Sequence, residues 1–165
     1  MATLTAPITV GTASANAIHA GDLGKLVLLE GKMYRVVKAN AAIAAAANKV
    51  VVRTAGTADT WTVNVTTTGA LCTVAGVIPS GQLGSTGTTG LISGDFFLVQ
   101  VSGEATPIIT TNALAIGTGI TTGTTAGEGV AVSSTYAATT HAAIYAVLLV
   151  ASTTGAPTQA SLRLL

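Results

Sequence analysis

Lys25 to Lys38 reads KLVLLEGKMYRVVK, two β-type runs on either side of Glu30-Gly31. Glycine supplies the positive φ that a two-residue hairpin turn requires, so the stretch predicts a β-hairpin. In its second run Tyr34 and Val36 share one face of a strand, and Met33, Arg35 and Val37 share the other. Runs of this kind recur in both directions along the chain and decide the fold class.

Downstream, Asn40 to Asn48 (NAAIAAAAN) has the best helix propensity in the chain, enough for a short helix or a close-packed turn. Lys49 to Thr54 (KVVVRT) returns to β-branched residues and predicts a strand. In Trp61 to Thr67 (WTVNVTT) alternation is strict: Trp61, Val63 and Val65 point one way, Thr62, Asn64 and Thr66 the other. Phe96 to Ser102 (FFLVQVS) repeats the pattern, with Phe97, Val99 and Val101 opposed to Phe96, Leu98, Gln100 and Ser102. Glu104 to Thr111 is expected to return as its partner strand after Gly103. Val130 to Ser134, Ala142 to Ala151 and Ala160 to Leu165 complete the strands, the second expected to be buried on both faces. Gly76 to Gly90 and Gly117 to Gly129 are dense in Gly, Ser and Thr and predict long loops.

Upstream, Met1 to Ala17 mixes Thr, Ala, Pro and Gly without an amphipathic period and reads as an extended N-terminal arm. The expected architecture is all-β: an antiparallel β-sandwich or β-barrel with long Gly/Thr-rich loops. The arm spans residues 1–17 and a single β-rich domain spans 18–165.

Composition narrows the function. The 165 residues are 49% hydrophobic but only 8% charged, against about 25% in an average soluble domain. Seven basic and six acidic residues leave a formal net charge of +1, too little to neutralise a phosphate backbone, so no nucleic-acid partner is expected. The mean hydropathy of +0.66 comes largely from alanine. The longest strongly apolar run, Ala142 to Ala151, is half of the roughly 20 residues a membrane helix needs. MATLTAPITV carries no secretory pattern, so a soluble protein made in a cytoplasm is expected. Cys72 is the only cysteine and reads as a small buried hydrophobe.

The inventory for catalysis is thin: Asp22, Asp59, Asp95, Glu30, Glu104, Glu128, His19 and His141. His19 and Asp22 flank a glycine turn, a weak metal pattern. Gly117-Thr118-Gly119-Ile120-Thr121-Thr122-Gly123 matches the dinucleotide fingerprint, but the helix that must follow it is not predicted. Gln82 stands where a phosphate-binding loop needs lysine. The Asn64-Val65-Thr66 sequon has no secretion signal beside it. Neither an enzyme nor a cofactor is expected, and no metal. Trp61 and Phe97 read as core, whereas adjacent Phe96 and Phe97 must face opposite ways, leaving one ring for an outer face.

Gly94 to Gly103 reads GDFFLVQVSG. With Gly21-Asp22-Leu23-Gly24, EGKMYRVVK and the LRLL tail, it resembles the capsid decoration, or cement, proteins of tailed bacteriophages. Members often carry an aromatic where this chain has Leu98. The resemblance implies a β-rich virion protein on the capsid exterior, binding the major capsid protein at capsomer junctions as a homotrimer. It also implies an arm that reaches a neighbouring subunit. The interface residues then expected are Thr3, Leu4, Ile8 and Val10 on the arm, Phe96, Leu98 and Gln100 on the strand, and His141. The scarcity of charge suits close packing of many copies. A tail or head-fibre component binding a receptor or glycan is the alternative, followed by a cell-surface layer protein and by a hydrolase with an unrecognised site.

Overall fold

The hairpin at Glu30-Gly31 forms as expected. In the computed structural model, Leu26–Leu29 (β1) and Lys32–Ala39 (β2) pair antiparallel with Leu29 opposite Lys32. Both turn residues take positive φ, 50° at Glu30 and 75° at Gly31, the combination that matches the twist of the flanking strands. The structure describes residues 20–54, 61–65, 74–110, 113–123, 125–132 and 144–164. The arm, Cys72 and His141 lie outside them, as does His19.

The remaining strands are Val50–Arg53 (β3), Thr62–Asn64 (β4), Val74–Val77 (β5), Phe96–Ala105 (β6), Ile108–Ile109 (β7), Gly119–Thr122 (β8), Gly129–Ala131 (β9), Ala146–Leu148 (β10), Ala156–Pro157 (β11) and Ala160–Arg163 (β12). Among the described residues the only helical element is a 3-10 turn, Ala20–Asp22. The fold is all-β, as expected.

Five strands close on themselves. β2 pairs β4, β4 pairs β3, β3 pairs β5, β5 pairs β6, and β6 returns to β2. The choice between sandwich and barrel is thereby settled as a barrel with further strands attached. It is not purely antiparallel: β2–β4 is parallel, as is β7–β9. The β2–β3 connection passes over the slot that β4 fills, so β4 runs in the direction of β2. That connection, residues 40–49, contains the Asn40 to Asn48 stretch, which forms turns and no helix. Ala45 and Asn48 take φ of 45° and 63°, while Ile43 and Ala46 plug the barrel.

A second sheet grows from the far end of β6, in the order β6-β12-β10-β8-β9-β7-β11. The expected hairpin after Gly103 is absent. Gly103, at φ 92°, lies inside β6, which continues to Ala105 and pairs there with β12. Gln100 Nε2 donates to the carbonyls of Ser102 (3.2 Å) and Glu104 (2.8 Å) and supports the bend. Ile108–Ile109 instead pairs with β9 and β11. The stretch expected as loop at Gly117 to Gly129 contains the β8–β9 pair, because Ile120, Thr121 and Thr122 are β-branched and buried. Likewise β5 takes Gly76 and Val77 from the expected first loop.

Alternate residues of one strand fill different cores. Val51 enters the barrel with Val37, Val63, Phe97 and Val99. Val50 and Val52 face outward with Val74 and Val77, and the second sheet covers them with Ile109, Ile120, Tyr145 and Leu148. KVVVRT is a continuous apolar run because both its faces are buried. A smaller cluster, Tyr34, Val36 and Leu98, lies on the outer wall beneath β1.

Candidate interaction surfaces

The residues expected at an interface fall into two groups. Thr3, Leu4, Ile8, Val10 and His141 lie outside the described residues. Phe96, Leu98 and Gln100 are on β6, where the single chain already encloses much of them. Leu98 is 1% exposed and Gln100 4%, and Phe96 is half-buried with the Lys38 ammonium 5.9 Å from its ring centre. The alternation itself is as read: Phe97, Val99 and Val101 line the barrel, and Leu98 and Phe96 belong to the outer-wall cluster.

Among the described residues six large apolar side chains are exposed: Leu28 on β1 (54%), Ile92 ahead of β6 (47%), and four near β10. Ile116 is 69% exposed, Ile144 50%, Leu149 42% and Val150 37%. Tyr145, Ala146 and Leu148 are buried in the second core and Val147 is half-buried, so the exposed residues flank β10: Ile144 lies before it, and Leu149 and Val150 follow it. Val147 pairs with Gly119 on one side and Ser161 on the other, and Ile144 lies across the space above Gly119. Gly117 donates its N–H to the Leu148 carbonyl at 2.9 Å, so the segment that carries Ile116 runs alongside the end of β10. Of the described part of Ala142 to Ala151, expected to be buried on both faces, Tyr145 to Leu148 is buried or half-buried, whereas Ile144 and residues 149–151 are exposed. The run of apolar residues is visible in the sequence; where along it the cover stops is not.

A second feature is one end of the barrel. Arg35 precedes Val37 by two residues on β2, Trp61 precedes Val63 by two just ahead of β4, and Arg53 follows Val51 by two on β3. β2 and β4 run one way and β3 the other, so all three inward-facing side chains converge on the same end. The Arg35 guanidinium lies 3.8 Å from the centre of the Trp61 ring, and that of Arg53 lies 5.2 Å away. Burial lowers the Arg35 pKa from its ordinary range, and the neighbouring Arg53 charge lowers it further. Arg35 Nε is enclosed without a hydrogen-bond partner. Gly24, at φ 79°, lies so close against the indole that a Cβ there would overlap it.

Third, a cleft of about 260 Å³ opens on the other side of β2, lined by Glu30, Lys32, Tyr34, Asn48, Gln100 and Glu104 among others. Tyr34 is raised above its usual range by burial and then by the Glu30 charge. Two of its amides serve the fold: Gln100 holds the β6 bend, and Asn48 Oδ1 accepts from Thr106 Oγ1 at 3.0 Å.

The other carboxylates have structural partners. Asp22 binds Lys25 Nζ at 2.7 Å, and Glu128 accepts from Thr110 Oγ1 at 3.0 Å. Asp95 Oδ2 accepts the backbone N–H groups of Ile92 (3.0 Å) and Ser85 (3.2 Å), organising the turn that leads into β6. No group of three or more His, Cys, Asp and Glu able to hold a metal occurs among the described residues. Among them, no helix is long and apolar enough to cross a membrane. The residues of the dinucleotide-like stretch, Gly117 to Gly123, form a turn and β8.

No family model and no curated protein matches the chain. Among solved structures it is similar to the head fiber gp8.5 N base of bacteriophage phi29. The TM-score is 0.49 at 13% identity, over 84% of this chain and 95% of that one. A likeness of that degree carries no weight for function.

Proposed function

We propose that the protein is a structural component of a tailed-bacteriophage virion, a capsid decoration protein on the outside of the shell. On this reading it binds the major capsid protein across capsomer junctions as a homotrimer, and it has no catalytic role. The observation that carries the reading is the set of exposed apolar side chains flanking β10, Ile144 before it and Leu149 and Val150 after it, with Ile116 on the segment leading to the neighbouring β8. In a chain with 8% charged residues, little else on the surface opposes association. An apolar patch with charge-poor surroundings is what a permanent assembly covers. The phage context comes from GDFFLVQVSG, which here forms the turn into β6, the strand shared by barrel and second sheet.

Mixing the purified protein with undecorated capsids of its parent phage, followed by imaging, tests the proposal. Stoichiometric density at repeated lattice positions is the expected result. Particles that stay bare, under conditions where the protein is folded, overturn it. Light scattering of the free protein reports separately on the trimer.

A further inference from the structure

We infer that the barrel end formed by Arg35, Arg53 and Trp61 is a receptor for a carboxylate side chain presented by an acidic segment of a partner protein. The strand directions bring two guanidiniums onto one indole at the edge of an apolar interior. Like charges held together beside a low-dielectric core repel each other, and an anion placed between them removes that cost. The only ion pair among the described residues is Lys25–Asp22, so no described acid neutralises either arginine. Arg35 Nε is enclosed and has no hydrogen-bond partner, so the chain itself offers this guanidinium little compensation for its burial.

Guanidiniums lying over an indole keep their edges available for the forked contact that suits a carboxylate. Half-buried Leu26 and Met33, packed against the barrel core, adjoin this end and supply an apolar rim. An extended polyanion fits poorly, because the formal net charge is +1 and Lys25 is engaged by Asp22. A protein segment with one or two acids among apolar residues matches both the charge and the rim. This inference stands apart from the virion proposal: the receptor can bind acidic peptides whether or not the protein coats a capsid.

Trp61 is the only tryptophan, so its emission reports on this site alone. The probe is an end-blocked pentapeptide with two glutamates among leucines, compared with its glutamine twin. The glutamate peptide is expected to shift Trp61 emission saturably and the twin to leave it unchanged. Arg53→Gln is expected to weaken binding about tenfold, with Arg53→Lys in between, since a point charge replaces the fork. Added salt should weaken binding in the wild type. Arg53 is half-buried at a strand end, and circular dichroism verifies that its variants fold. Equal response to both peptides, no response to either, or undiminished binding by a folded Arg53→Gln overturns the inference. So does tighter binding of a single-stranded oligonucleotide than of the peptide. Asp59, two residues before Trp61 in sequence, is the internal competitor: a response that appears only in Asp59→Asn assigns the arginines to an internal pair and also overturns it.

Discussion

In the barrel each strand from β2 to β6 is hydrogen-bonded on both sides, whereas among the described residues the second sheet ends at β11, which pairs with β7 alone. The two regions also differ in charge. Six of the seven basic residues fall between Lys25 and Arg53, on the barrel and its hairpin, and the seventh is Arg163. Closure gives the barrel an interior that its own side chains fill, so it can carry charged residues outside and at its end. The second sheet covers one face against the barrel wall and leaves Ile144 and Leu149 exposed at the ends of β10. The barrel is complete in its ring of strand pairing, with Leu28 and Ile92 exposed beside it, whereas the second sheet ends on an open strand and has four exposed apolar side chains near β10.

The largest effect should come from breaking the closed region. Phe97 is fully buried among barrel residues from several strands. Phe97→Ala should cost about 3–5 kcal/mol in chemical denaturation, through lost burial and the cavity left behind. A loss under 1 kcal/mol would mean that the barrel interior is looser than its packing implies.

Tyr145 probes the seam between the regions. It is enclosed by the second core, and its hydroxyl has no hydrogen-bond partner. Tyr145→Phe removes an unsatisfied buried group and should leave stability unchanged or raise it by about 1 kcal/mol. Burial raises the Tyr145 pKa above the usual tyrosine range. The unfolded chain therefore ionises near pH ~10 while the folded chain keeps its proton. Stability is fully retained below that pH and falls as pH rises above it. Denaturation at stepwise pH from 8 upward should show a shallower alkaline loss in Tyr145→Phe than in wild type. Tyr34, raised by burial and by Glu30, retains its own share of the slope.

The smallest effect on stability should come from the exposed residues flanking β10. Ile144→Ser with Leu149→Ser should change unfolding free energy by about 0.5 kcal/mol or less per site, as expected for exposed positions. The same pair should abolish capsid binding in the particle assay. A double variant that binds normally would separate these exposed residues from the proposed assembly role.

Much of the barrel was legible beforehand. The Glu30-Gly31 turn, the opposed faces of Tyr34 and Val37, and the inward set Phe97, Val99 and Val101 all follow from a period of two and from turn chemistry. The errors have physical causes. Gly103 was read as a turn because glycine at positive φ serves a turn and a bend within a strand equally well. The Gly/Thr-rich stretch hid β8 and β9, since tertiary pairing overrode its weak local preference. No local pattern links Arg35, Trp61 and Arg53, because they belong to β2, the residue ahead of β4, and β3, and β3 runs antiparallel to β4.

The residue pattern alone is enough to establish an all-β chain, poor in charge, whose strands alternate between two sides. Alternation is a local property, written into each strand by side-chain geometry. Strand pairing across the whole chain sets the rest: that five strands close, that Val51 and its neighbours Val50 and Val52 serve different cores, and that Ile144, Leu149 and Val150 at the ends of β10 are exposed. Those outcomes depend on which distant strands pair, and hydrogen bonding between strands leaves no trace in the period of either one.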